Sequence, residues 1–167
     1  MHAAEVARFR SKIVAGPGDG DCSIWIGSIG ADGYGQPYIA RQGRGICVRP
    51  NRYALARWTG QPLEAAVLAL HECDVPLCVK VANLAARRLH VVAGTQRDNM
   101  IRMAYTGRGG GRPVVRRDGL RARRARSVAL REAVRDGWDS AAVGAALEIR
   151  VRAESRWHHR GYARSSV

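Results

Sequence analysis

Apolar and polar positions change period several times along this chain of 167 residues. Val6, Phe9 and Ile13 recur at helical spacing, which predicts a short helix over residues 3–14. The run "GPGDGD" then breaks the chain. "CSIWIGS" and "GQPYIAR" read as strands on either side of the glycine-rich turn "IGADGYG", so a hairpin is expected there, with "ICVRP" as a third strand. "NRYALARWTG" places Ala54, Leu55 and Trp58 on one helical face, with Gly60 as its stop. "AAVLAL" is a compact apolar run that ends at His71 and reads as a buried strand.

The stretch from Val79 to His90 is expected to be a loop or a single helical turn, and "LHVVAG" a strand. "TQRDNMIRMAY" opens with Thr95 and carries Asp98 three residues on. Thr95 can accept from the unpaired N–H groups of the first turn while Asp98 reaches back, a capping box with Asp in place of Glu. A helix is therefore expected to about Tyr105, with Asn99 near its first turn. "TGRGGGRP" reads as a flexible basic linker into "VVRRDGLRARRARS". Two helical segments follow, "SVALREAVRDG" ending at Gly137 and "DSAAVGAALEIRVRAESRW" capped by Asp139. The tail with His158 and His159 reads as a frayed terminus.

Charge narrows the class of partner. Lys and Arg total 28 against 14 acidic residues, a formal net charge of +14, and Lys12 and Lys80 are the only lysines. An arginine-rich composition explains the scarcity of lysine but not the twofold excess of base over acid. Guanidinium groups bind phosphate bidentately and stack on bases, so a nucleic acid is the expected partner. No apolar run reaches the length of a membrane span, and residues 1–16 have no signal-peptide core. An intracellular setting is expected, in which Cys22, Cys47, Cys73 and Cys78 are thiols or metal ligands.

"ALHECDVPLC", residues 69–78, sets His71 beside Cys73 and Cys78. A strand ending in His71, a strand starting at His90 and a helix carrying Asn99 follow in order. Phosphodiester hydrolysis needs a base for water, a cation for the charge developing on phosphate, and something to orient the base. Neutral His71 suits the first role. Asn99, an oxygen ligand on a helix, suits a hard cation such as Mg²⁺, and His90 can orient one of these groups.

The run "CSIWIGS…DGYGQPYI…NRYALARWTGQP…LHECDVPLCV…LHVVAGTQRDNMIRM" resembles the HNH endonucleases, in particular their phage and actinobacterial homing-type subgroup. Its most specific parts are "HECDVPLCV" and "GTQRDNM". The resemblance covers about residues 22–105. It implies a ββα-metal fold, duplex DNA as substrate and one catalytic divalent cation, Mg²⁺ or Mn²⁺. By position His71 falls on the general base, His90 on the residue that orients it, and Asn99 on the helix metal ligand. Two positions depart from the family. Leu70 stands where an Asp or His often supplies a second metal ligand, and Asn51–Arg52 stand where the helix often carries His-Arg. Asp74 or Glu72 is a candidate for the missing oxygen ligand.

The fold class expected is α+β, with small antiparallel hairpins and a ββα-metal nuclease core followed by a helical extension. Four parts are expected: an N-terminal helix and linker (1–20), the nuclease domain (21–106), a basic Gly/Arg-rich linker (107–126) and a helical C-terminal region (127–167). Cys73 and Cys78 are candidates for half of a tetrahedral zinc site, and Cys22 is the third candidate because the resemblance places a cysteine there too. Cys47 or a histidine is then the fourth, and recruiting His71 would remove it as a base. DNA contacts are expected from Arg52, Arg97 and Arg102, from Arg108, Arg112, Arg116 and Arg117, and from Arg121, Arg123, Arg124 and Arg126. The two C-terminal helices suit a helix-turn-helix or an ordinary helical hairpin, the second presenting Arg150, Arg152 and Arg156. Two other functions fit the same residues. One is a DNA-binding protein whose nuclease core has decayed at Leu70; the other is a zinc-stabilised accessory to phage packaging or recombination proteins.

Overall fold

The computed structural model describes residues 3–81, 89–105 and 119–149. Its elements are α1 (Ala3–Arg10), β1 (Ile13–Ala15), β2 (Ser23–Trp25), β3 (Tyr38–Arg41), β4 (Arg44–Cys47), α2 (Pro50–Thr59), β5 (Leu68–His71), β6 (Val91–Gly94), α3 (Gln96–Tyr105), α4 (Leu120–Ala133) and α5 (Ser140–Leu147). The strands form three separate antiparallel pairs, β1–β2, β3–β4 and β5–β6. This is the expected α+β class of small hairpins and helices. Among the described residues no helix is long and apolar enough to cross a membrane.

Two expectations near the N-terminus are corrected. The first helix stops at Arg10, and Ile13 begins a strand whose register pairs it with Trp25. The β-branched pair Ile13–Val14 suits a pleated surface better than a further helical turn. The "CSIWIGS" strand therefore pairs along β2 with β1, and the expected hairpin to "GQPYIAR" is reduced to one bridge, Ile29 to Gly35, with Gln36 N–H donating to Ser28 O at 2.9 Å. The other edge of β2 is taken by residues 77–79, where Trp25 N–H donates to Leu77 O at 2.8 Å and Val79 N–H to Ser23 O at 2.8 Å. With both edges filled, β3 turns back on its own neighbour β4 through Gln42 and Gly43, both at positive φ (50° and 75°), as a two-residue hairpin turn requires.

Phe9 stacks on Trp25 at 5.4 Å and meets Tyr53 at 4.4 Å between ring centres, and this aromatic group opens the core. Leu77, Cys78, Leu130, Val134 and Val143 continue it, so α4 and α5 share one core with the strands. Glu5 is buried with them. Its carboxylate takes both Nη atoms of Arg41 at 2.5 and 3.0 Å and the Tyr53 hydroxyl at 2.8 Å, tying α1 to β3 and α2. Burial, with that hydrogen bond, pushes the Tyr53 phenol up to about 12.

The "DGYG" turn has a steric explanation. Gly33 adopts φ 81°, and a Cβ on Gly35 would lie 2.5 Å from Trp25 Cδ1 and overlap Pro50. Pro50 opens α2 and Gly60, left-handed at φ 77°, closes it as expected. Ala54 and Leu55 are buried, but Trp58, expected on the same face, is 63% exposed because the buried part of α2 ends at Leu55. Both predicted caps form. Asp98 Oδ2 accepts from Thr95 N at 2.8 Å while Thr95 Oγ1 accepts from Asp98 N at 3.2 Å, and Asp139 accepts from Ala141 N and Ala142 N. α4 begins at Leu120, so Arg121, Arg123, Arg124 and Arg126 stand on a helix instead of in the basic linker.

Candidate functional site

Three chain segments converge below the β5–β6 hairpin. Cys22 sits one residue ahead of β2, Cys73 and Cys78 bracket the tight "DVPL" turn after β5, and His90 immediately precedes β6. Backbone pairing sets their positions: Ile24 bridges Cys78, and Glu72 N–H donates to His90 O at 2.7 Å. Asp74, in the left-handed region at φ 58°, and the Cys78 N to Val75 O bond at 3.0 Å close the turn that faces both sulfurs inward. Lys80 Nζ donates to Asp19 O at 2.6 Å and Asp21 O at 3.0 Å, holding the "GPGDGD" loop that delivers Cys22.

The donor atoms of Cys22, Cys73, Cys78 and His90 all lie within 4.8 Å of one another. His90 Nδ1 is 3.5 Å from Cys22 Sγ and 3.7 Å from Cys78 Sγ. Around a tetrahedral zinc with metal–sulfur and metal–nitrogen bonds of about 2.3 and 2.0 Å, neighbouring donors are roughly 3.5–3.8 Å apart. Both distances to His90 match that spacing, and the four donors together could hold a zinc ion. Hydrogen bonds from Cys22 and then Cys78 hold the Cys73 thiol well below the usual range, whereas burial, first of several causes, pushes Cys78 up.

This assigns His90 differently from the expectation. It was expected to orient a catalytic base; it is 1% exposed and turns Nδ1 to the sulfurs. Cys47, the other candidate for fourth ligand, is exposed on β4. His71 lies outside the four-residue set, so metal binding and base chemistry do not compete for it.

His71 ends β5, with its ring 5.9 Å from that of Tyr34. Both ring nitrogens are shut off from solvent without a conventional hydrogen-bond partner, and His71 is close enough to Cys73 to help lower its thiol. The pleat turns the preceding residue, Leu70, to the opposite face. There it covers Gly94, where a Cβ would meet Leu70 Cδ1 at 2.5 Å and Asp98 Cβ at 3.6 Å. Leu70 thus faces α3, the helix that carries Asn99, and presents it with an apolar side chain. Asn99 Nδ2 approaches only Met103 Sδ, at 3.8 Å, among its described side-chain contacts. Glu72 and Asp74, candidates for the missing ligand, are both engaged by Arg102, at 2.5 and 2.8 Å.

The expected DNA-contacting arginines divide. Arg52 is committed to backbone, donating to Val67 O, to Leu63 O at 3.1 Å and to Glu64 O at 2.7 Å. Arg102 holds the two carboxylates. Arg97, Arg121 and Arg124 are exposed, and Arg123 Nε donates to Asp32 O at 2.7 Å. Arg108, Arg112, Arg116, Arg117, Arg150, Arg152 and Arg156 lie outside the described residues. Sequence reasoning missed Arg49, which pairs with Asp32 and lies 4.8 Å from the Tyr34 ring. Its only signal was a position one residue before Pro50. No protein-family model, curated protein or solved structure matches this chain.

Proposed function

We propose that this protein is a metal-dependent endonuclease of HNH type that hydrolyses phosphodiester bonds in duplex DNA. The observation that carries the reading is the order β5–β6–α3: an antiparallel hairpin with a helix packed on both strands, His71 ending the first strand and Asn99 on the helix. His71 takes the proton of the attacking water; its nearest described neighbours are the Tyr34 ring and the Cys73 thiol. Asn99 supplies an oxygen to Mg²⁺ or Mn²⁺, which when bound neutralises charge developing on the phosphate. Cys22, Cys73, Cys78 and His90 hold a separate zinc. Four protein donors leave that ion no open position for water, so its role is structural.

A second reading is favoured by one observation: Leu70 is the β5 residue facing α3, and Arg102 occupies Glu72 and Asp74. With an apolar side chain at position 70, both other acids tied to Arg102 and Asp98 spent on its cap, the protein binds DNA without cutting it. Supercoiled plasmid incubated with Mg²⁺, Mn²⁺ or EDTA separates the two. Metal-dependent nicking or linearisation that is lost in His71→Ala and Asn99→Ala supports the nuclease. Cleavage that survives in His71→Ala overturns His71 as the base. Intact plasmid with every metal, retarded in the gel at low salt, leaves the binding protein.

A further inference from the structure

Beside His71 three separate elements build a cationic group that the reading above does not use. The Tyr34 ring, from the turn ahead of β3, stands 5.9 Å from the His71 ring. Two guanidinium groups lie over that tyrosine: Arg49, just before α2, at 4.8 Å, and Arg123, from the first turn of α4, at 5.4 Å. Asp32 positions both. Its carboxylate takes both Nη atoms of Arg49, and its main-chain oxygen accepts from Arg123 Nε at 2.7 Å. α4 is seated closely on the turn, where a Cβ on Gly33 would stand 3.0 Å from the Arg123 carbonyl carbon.

Two like charges thus converge on one ring; the Asp32 carboxylate pairs with Arg49, and among the described residues no carboxylate pairs with Arg123. The bond to Asp32 fixes the Arg123 guanidinium by its Nε, and no described hydrogen bond takes its Nη atoms. A guanidinium held at Nε with its Nη edge unspent is suited to a phosphate, which it binds through paired, charge-assisted hydrogen bonds. We infer that Arg123 forms a phosphate clamp beside the Tyr34–His71 pair, with Asp32 fixing its Nε and Arg49 neutralising the Asp32 carboxylate, so that α4 completes the DNA site. The inference rests on duplex DNA as the partner and names the residue that holds its backbone. It makes α4 part of the site rather than an appendage.

The test is binding of the full-length protein to a fluorescent DNA duplex without added divalent cation, followed across salt concentrations. Arg123→Ala is expected to weaken binding about tenfold at low salt. It is also expected to reduce the slope of log affinity against log salt by about one. Arg131→Ala, on the same helix but paired with Glu132, keeps the wild-type values. Arg123→Lys keeps the slope but loses several-fold in affinity, because the charge remains and the fork does not. This lysine variant also decides the matter if the alanine variant fails to fold. Arg123 variants that bind with wild-type affinity and slope overturn the clamp and leave the nuclease reading standing. A wild type without DNA affinity overturns both.

Discussion

Replacing His90 by alanine tests the metal centre most directly. The side chain is 1% exposed and its Nδ1 contacts sulfurs from two other segments, so the substitution removes one donor of four and leaves three thiols, Cys78 buried and Cys22 and Cys73 half-buried. A metal held by these residues acts as a cross-link. The span from Cys22 to His90 is 68 residues and that from Cys78 to His90 is 12. By the loop-closure entropy used for disulfides, such spans are worth about 4 and about 3 kcal/mol respectively. The spans are nested, so the longer one alone gives the conservative figure. About 4 kcal/mol is also what a ligand at a thousand times its Kd contributes by mass action. In a chain of this size that amounts to a fall in Tm of about 8–16 °C. Wild-type protein is expected to carry one zinc per chain by elemental analysis and to lose at least about 8 °C when a chelator removes it. His90→Ala is expected to show the lowered Tm from the outset and little further response to chelator. A wild type without stoichiometric zinc and with the same Tm in chelator refutes the reasoning, as does a His90→Ala variant that keeps both zinc and Tm.

Three further outcomes are expected. Leu70→Asp places a carboxylate on the face toward α3, so half-maximal plasmid cleavage is reached at lower Mg²⁺, with a stability loss of about 2–4 kcal/mol for burying a polar group where Leu70 packed. A folded variant with unchanged Mg²⁺ dependence contradicts the assignment of that face. Gly35→Ala drives a methyl group into Trp25 and Pro50, and overpacking of this kind costs about 1–3 kcal/mol, read as a lower urea midpoint. Tyr53→Phe changes the alkaline limb of stability. The phenol is held protonated to about 12 in the fold, by burial first and then by Glu5, while in the unfolded chain it ionises near 10. Its stabilisation is full below about pH 10 and is lost as pH rises through about 12, so wild-type urea midpoints fall more steeply over that window than those of Tyr53→Phe. Identical slopes for the two proteins exclude the phenol as the cause.

Local chemistry was legible in the sequence wherever its partners lie within a few residues. The Thr95–Asp98 capping box, the Asp139 cap and the Gly60 stop of α2 all form as read, because each depends on side chains or backbone one to three positions away. The strand ending at His71 and the one read as starting at His90, which begins at Val91, were equally visible as apolar runs, and three of the four metal donors were named as candidates. What the sequence left open is whatever depends on partners brought together by folding. Helical spacing could not separate Ile13 from α1, since only the pairing with Trp25 makes it a strand. Spacing could not tell a base-orienting His90 from a metal-facing one, because Cys22 stands 68 residues away and the choice belongs to the side-chain rotamer. A run of arginines reads as uniform charge, yet tertiary contacts commit Arg52 to carbonyls, set Arg102 between two carboxylates and bring Arg123 to Tyr34. Composition determined that this chain is strongly cationic; packing decided which of those cations are occupied and which stand beside His71.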